Sequence, residues 1–197
     1  MSNAYSPDKE YGHISKGDQI CLSCGLCCTG LLFDHIDLKT DEIELASQLG
    51  LTPYQKKVDY DAFRLPCSCF MDSKCSTYAH RPKRCSHYQC KLLYEYLQRT
   101  TSFEESIKLV RKALSLMETV YQHIGGMTPS KTIWEQIEDF MELQARSVNS
   151  EELIRINVRL LLDMKKLSII CNHFTSKFFV NVEVKYLFHN GKGVIKI

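Results

Sequence analysis

Nine of the ten cysteines in this 197-residue chain fall between Cys21 and Cys90, and only Cys171 lies outside that stretch. A segment so rich in thiols either cross-links itself or binds metal, and the redox compartment decides which. The first twenty residues, MSNAYSPDKEYGHISKGDQI, are polar and carry no apolar signal region. No stretch approaches the roughly 18 consecutive apolar residues a membrane span requires. The chain therefore reads as cytoplasmic, where thiols stay reduced and a cysteine pattern points to metal. With 44% hydrophobic residues it has apolar material for a core of its own, so the cysteines are not needed to rescue a chain too short to fold. A net charge of +2 predicts neither a membrane surface nor nucleic acid as partner.

The spacing refines this. Cys21-x2-Cys24-x2-Cys27 is followed directly by Cys28. Two-residue spacers allow a turn to bring successive sulfurs onto one centre, as in the run that holds one cubane in bacterial ferredoxins, whose fourth ligand is distant. Adjacent side chains diverge, so Cys27 and Cys28 are expected to face different directions, one of them toward a second site. Cys67-Ser68-Cys69 follows, then Cys75, Cys85 and Cys90. Eight cysteines suffice for two four-thiolate sites, or for one cluster and one zinc; four suffice for a single site.

Charge agrees with an anionic centre. Between Asp72 and Glu95 there is no acidic residue, while Lys74, Arg81, Lys83, Arg84 and Lys91 supply five positives. Cations near a thiolate-bound metal offset its negative charge.

Taken together, Cys21, Cys24, Cys27 and Cys28, then Cys75-Ser76-Thr77-Tyr78, Arg81-Pro82, Cys85 and Cys90, resemble the YkgJ-type CxxCxxCC family of zinc- or iron-chelating proteins over roughly residues 20–91. The resemblance implies eight ligands: Cys21, Cys24, Cys27, Cys28, Cys75, Cys85, Cys90 and one of Cys67 or Cys69, with Cys67 favoured because it follows Pro66. A similar cysteine pattern in the flagellin lysine N-methylase, which resembles a cluster-containing enzyme using S-adenosylmethionine, implies iron–sulfur ligation more than methyl transfer. This chain shows no glycine-rich nucleotide loop.

The rest of the chain sets the architecture. Residues 1–20 read as a flexible leader, 21–91 as the cysteine-cluster metal-binding region, and 92–197 as a helical region with a C-terminal β element, expected to form one compact domain with 21–91. Leu31–Phe33 suggests a short strand or a core plug. Asp41–Leu49 suggests a helix, and Thr52-Pro53 a second helical start. Residues 62–90 read as loop. Ser102 with Glu105, and Asn149 with Glu152, carry the capping-box form. Thr128-Pro129 suggests another start, leading to Ile133, Trp134 and Ile137. Val180 to Tyr186 alternates as a strand, and His189–Gly193 supplies a turn toward Val194–Ile197. The fold class expected is mainly α (α+β), with a cysteine-rich loop region packed on a helical bundle and a small C-terminal β-hairpin.

His35, His80 and His87 read as surface rather than ligands, and Cys171 as a buried thiol. A thiol–disulfide enzyme would place one C-x-x-C on a βαβ unit, which is not expected here. The reading is a [4Fe–4S] protein supporting redox chemistry with an unidentified redox or protein partner. Zinc in a structural interaction module is the alternative, and a methyltransferase-like enzyme the weaker one. No general base or nucleophile has a recognisable neighbour, so no catalytic role is assigned.

Overall fold

Ser15 and Asp18 cap one another: the Ser15 hydroxyl accepts from the Asp18 amide, and the Asp18 carboxylate accepts from the Ser15 amide. This box starts helix α1, Lys16–Cys24, in the computed structural model, which describes residues 14–57, 60–175, 183–188 and 191–196. The helix begins within the segment read as a leader; residues 1–13 lie outside the described residues. Gly25 closes α1 in the left-handed conformation at φ 62°. Cys21 and Cys24 therefore sit on the last turns of a helix rather than in a loop. Leu26, Leu31 and Leu32 are buried in turns. They act as the core plug, and no strand forms until β1, His35–Leu38.

A three-stranded antiparallel sheet follows, made of β1, β2 (Pro53–Lys57) and β3 (Tyr60–Arg64), with β3 central. A 3-10 turn at Thr40–Glu42 leads into helix α2, Ile43–Gln48, within the expected helical span. The helix expected at Thr52-Pro53 is instead strand β2. Proline suits the start of an edge strand as well as that of a helix, because its missing N–H is not needed there. The segment 62–90, expected as loop, contains the end of β3 and a small hairpin of β4 (Phe70–Met71) and β5 (Lys74–Cys75). It also holds a 3-10 turn at Tyr78–His80 and helix α3, Lys83–Ser86.

Beyond Cys90 the chain is helical: α4 (Lys91–Leu97), α5 (Phe103–His123), α6 (Ile133–Ala145), α7 (Ser150–Ile156) and α8 (Val158–Cys171). The Ser102–Glu105 box starts α5, and the Asn149 side chain accepts from the Glu152 amide at the start of α7. Helix α6 starts later than Thr128-Pro129 suggested. The Gln136 carboxamide bonds both the amide and the carbonyl of Thr128, holding that segment as a loop, and Thr132 with Glu135 forms the cap. Asn157 separates α7 from α8, its buried amide donating to Gln144 Oε1 and the Leu153 carbonyl. Near the C-terminus β6 (Glu183–Phe188) pairs antiparallel with β7 (Gly191–Lys196). Residues 180–182, 189–190 and 197, on which parts of the expected strand, turn and returning strand fall, lie outside the described residues. The mainly α, α+β class expected from the sequence holds.

Two apolar cores result. The larger joins Ile20, Leu26, Leu31 and Leu92 to Val110, Ile137, Met164 and Phe174 of the helical half. The smaller lies under the sheet and comprises Leu38, Ala46, Leu51, Phe63, Leu65 and Cys69. Cys24, Cys27 and Cys90 pack against the first core, and Cys67 and Cys85 against the second.

Candidate metal centre

The backbone brings the cysteine segments together. Cys28 lies in the turn after α1, and its carbonyl accepts from the Cys67 amide at 2.8 Å. The Cys67 carbonyl accepts from the Phe70 amide at 3.0 Å, and the β4–β5 hairpin then returns the chain at Cys75. Cys85 sits on α3. Cys90 caps α4, its sulfur accepting from the Leu93 amide at 3.4 Å. The Lys91 amide donates to the Phe174 carbonyl at 2.8 Å, which ties the end of α8 to this corner.

All ten cysteines are free thiols. Their electrostatic environments form two overlapping groups. Burial pushes the Cys24 and Cys27 thiols well above the ordinary range; Cys90 and Cys21 push Cys24 further, and Cys24, Cys90, the neighbouring Cys28 and Cys21 push Cys27 further. Burial also raises Cys90, with Cys21 adding to it and the Leu93 N–H opposing it. Cys28, next in sequence to Cys27, has a different company. Burial raises it, followed by Cys67, Cys75 and Cys85. Cys67 is pushed up to about 12 by burial, with Cys69, Cys75 and Cys85 adding to it. Cys85 also reaches about 12 through burial and Cys75, with Arg81 opposing. Cys24, Cys27 and Cys90 thus lie against the larger core and Cys67 and Cys85 against the smaller, with Cys28 acting on Cys27 as well as sharing the field of Cys67, Cys75 and Cys85. Cys21 acts on members of both groups.

Charge reaches farther through a low-dielectric interior than a coordination bond does. Among the described residues, no three Cys, His, Asp or Glu side chains stand close enough as they are to grip one ion. The donor chemistry nonetheless fits a metal. Deprotonating several buried thiols side by side is prohibitive unless a cation replaces their protons, and a bound metal or cluster is such a cation. A cavity of about 1190 Å³ opens there, lined by Cys21, Cys27, Cys28, Cys67, Cys69, Cys75 and Cys85.

The two cysteines of the Cys-Ser-Cys step part company. Both line the cavity, but Cys67 is half-buried there, whereas Cys69 is 4% exposed and its thiol donates to the Leu49 carbonyl at 3.2 Å. Cys69 is packed as a small apolar side chain. Cys171 is fully buried, and burial raises its thiol to about 12. It nevertheless adds to the field at Cys24, a proximity across the fold that nothing near residue 171 signals.

The basic segment is less uniform than its composition implied. Lys83 pairs with Asp41 at 2.8 Å, Arg84 lies 3.9 Å from Asp37, and Lys91 lies 3.9 Å from Glu95. Arg81 alone of the five has a bond toward sulfur, its Nη1 standing 4.0 Å from Cys21 Sγ. His35 is engaged with Asp34, Asp37 and Lys56, and His80 and His87 are exposed. Tyr88, which sequence reasoning passed over between Cys85 and Cys90, packs edge-on against Phe33 and sits near Cys27 and Cys90, with a hydrogen bond to Thr175. No helix among the described residues is long and apolar enough to cross a membrane.

Residues 20–109 match the model of the CxxCxxCC family, described as "Putative zinc- or iron-chelating domain". The match covers the whole cysteine region and extends into α5, beyond the span over which the resemblance was read. No curated protein and no solved structure matched. The segment is thus similar to a chelating cysteine domain, and residues 110–197, most of α5 included, stand outside the match.

Proposed function

From a chain similar over residues 20–109 to a zinc- or iron-chelating cysteine domain, we propose a protein with two four-thiolate sites, the first built for a [4Fe–4S] cluster. Cys21, Cys24, Cys27 and Cys90 are the ligands of the first site, and Cys28, Cys67, Cys75 and Cys85 those of the second. The observation that carries this reading is the packing of the cysteines on two cores, Cys24, Cys27 and Cys90 against the larger and Cys67 and Cys85 against the smaller, with the Cys28 carbonyl bonded to the Cys67 amide. A thiolate-bound cluster supplies one-electron chemistry, so the role is electron transfer or support of a redox step. Phe33 and the larger core bury much of the first site beside Cys24, Cys27 and Cys90, and such burial tunes potential.

Zinc is the alternative for the second site. Its spacings depart from the ferredoxin-like run, and its sulfurs come from a loop, a hairpin and a short helix, as in a structural clip. A clip there would bind the sheet to α1 and leave the helical half to contact another protein.

The test is purification without oxygen, followed by iron, sulfide and zinc analysis of the wild type and of Cys27→Ala and Cys28→Ala. Cys27→Ala should lose the broad absorbance near about 400 nm that thiolate-ligated clusters show, while Cys28→Ala should lose the second metal and keep that absorbance. A single metal pool lost equally in both variants would refute the two-site reading.

A further inference from the structure

Asp18 and Cys21 stand one turn apart on α1, and Tyr78 and Arg81 stand three residues apart in the turn before α3. The two pairs clasp. The Tyr78 hydroxyl donates to Asp18 Oδ1 at 2.8 Å. The Arg81 guanidinium lies over the Tyr78 ring, 3.6 Å from its centroid, and Nη1 reaches toward Cys21 Sγ at 4.0 Å. Asp18 is itself fixed by the capping box with Ser15. Helix start, aromatic ring, cation and sulfur thus form one chain of contacts between segments 60 residues apart.

Two further facts set Arg81 apart. Its Nε is buried and has no hydrogen-bond acceptor among the described residues. Its charge is directed at sulfur, whereas Lys83, Arg84 and Lys91 are paired with carboxylates. Because a guanidinium is planar, stacking on Tyr78 fixes the direction of all its N–H groups at once. A buried N–H without an acceptor is costly, and sulfur bearing negative charge is the acceptor this corner can offer.

We infer that Arg81 is a positioning residue for the thiolate centre: clamped by Tyr78 and Asp18, it donates to the Cys21 sulfur and neutralises charge where the two cysteine sets meet, slowing release of bound metal. This rests on the proposed function, because it needs a metal or cluster held by these sulfurs. Cys21 is the exposed member of its set, so it is the ligand through which competing chelators enter. A donor fixed over that sulfur stabilises the thiolate and obstructs its departure.

The experiment compares wild type, Arg81→Gln, Arg81→Lys and Tyr78→Phe, each purified without oxygen. Iron and zinc per chain are measured first, then the rate of metal loss to excess chelator, with circular dichroism to verify folding. Substituting outer partners of a metal ligand changes metal affinity by about 10- to 100-fold, so Arg81→Gln should release metal roughly tenfold faster. Arg81→Lys keeps the charge without the fork and should fall between. Tyr78→Phe keeps the stacking face but loses the bond to Asp18, and it too should release metal faster while remaining folded. Should Arg81→Gln fail to fold, Tyr78→Phe decides the matter. Loaded wild type with the folded variants releasing metal at its rate would overturn the inference and leave the proposed function standing. Wild type that holds neither iron nor zinc after anaerobic reconstitution would overturn both.

Discussion

The indole Nε1 of Trp134 donates to the carbonyl of Leu31 at 2.9 Å, joining α6 to the plug that follows the first cysteine run. Trp134 thereby does more than fill space between helices. Gly30, beside that plug, has φ 76°, and a Cβ there would come within 2.6 Å of Thr132 Cγ2 at the start of α6. The helical half and the cysteine half share this seam. Trp134→Phe keeps the apolar bulk and leaves the Leu31 carbonyl without its donor. An unpartnered buried polar group costs about 1–3 kcal/mol, so a lower thermal midpoint is expected; an unchanged midpoint would show that the seam does not bear on stability.

Cys67 and Cys69 should respond oppositely. Under the proposed ligand set, Cys67→Ala loses the second metal. Cys69→Ala retains both metals, and loses about 1 kcal/mol with the hydrogen bond to Leu49. Metal analysis together with denaturant unfolding of the two variants separates ligand from core residue.

Gly25→Ala should disrupt the centre without touching a sulfur. Gly25 takes φ 62°, and a Cβ at this position would run into the ring of Phe70 on β4. The left-handed conformation alone costs a non-glycine residue about 1 kcal/mol or more. The collision displaces the turn that separates Cys27 from Cys28. Reduced metal content with preserved helical circular dichroism is the expected outcome, and full occupancy would count against it.

Asp163 should give an acid-sensitive contribution. Hydrogen bonds from Lys166 and then His123 hold its carboxyl below the usual carboxylate range. A group whose pKa is lower in the folded state stabilises fully above its unfolded value, near about 3.9, and loses that effect as pH falls through the folded value. Wild type should therefore melt above Asp163→Asn near neutral pH, and the difference should close in stronger acid. A difference that grows on acidification would contradict this.

Cys171 should behave as an inert thiol. It is fully buried, and its pKa is raised to about 12. Iodoacetamide at mildly alkaline pH should spare it in the native protein and modify it after unfolding, as peptide mass spectrometry would show. Native modification at a rate typical of exposed thiols would contradict this burial.

The sequence by itself determined the thiolate character of the N-terminal half, because cysteine spacing is local and carries its chemistry with it. It also determined α5 and the start of α7, whose capping residues act within one turn. The three-stranded sheet was not legible. Pro53 suits an edge strand or a helix start alike, and β2 is an edge strand only because β3 pairs beside it. Nor was the particular importance of Arg81 visible among five nearby cations, because Asp37, Asp41 and Glu95 engage three of them only once the chain has folded. Which four sulfurs keep company, and which cation faces them, depends on contacts between residues some 40 to 80 positions apart. Spacing along a chain cannot encode such separations; packing of the two cores does.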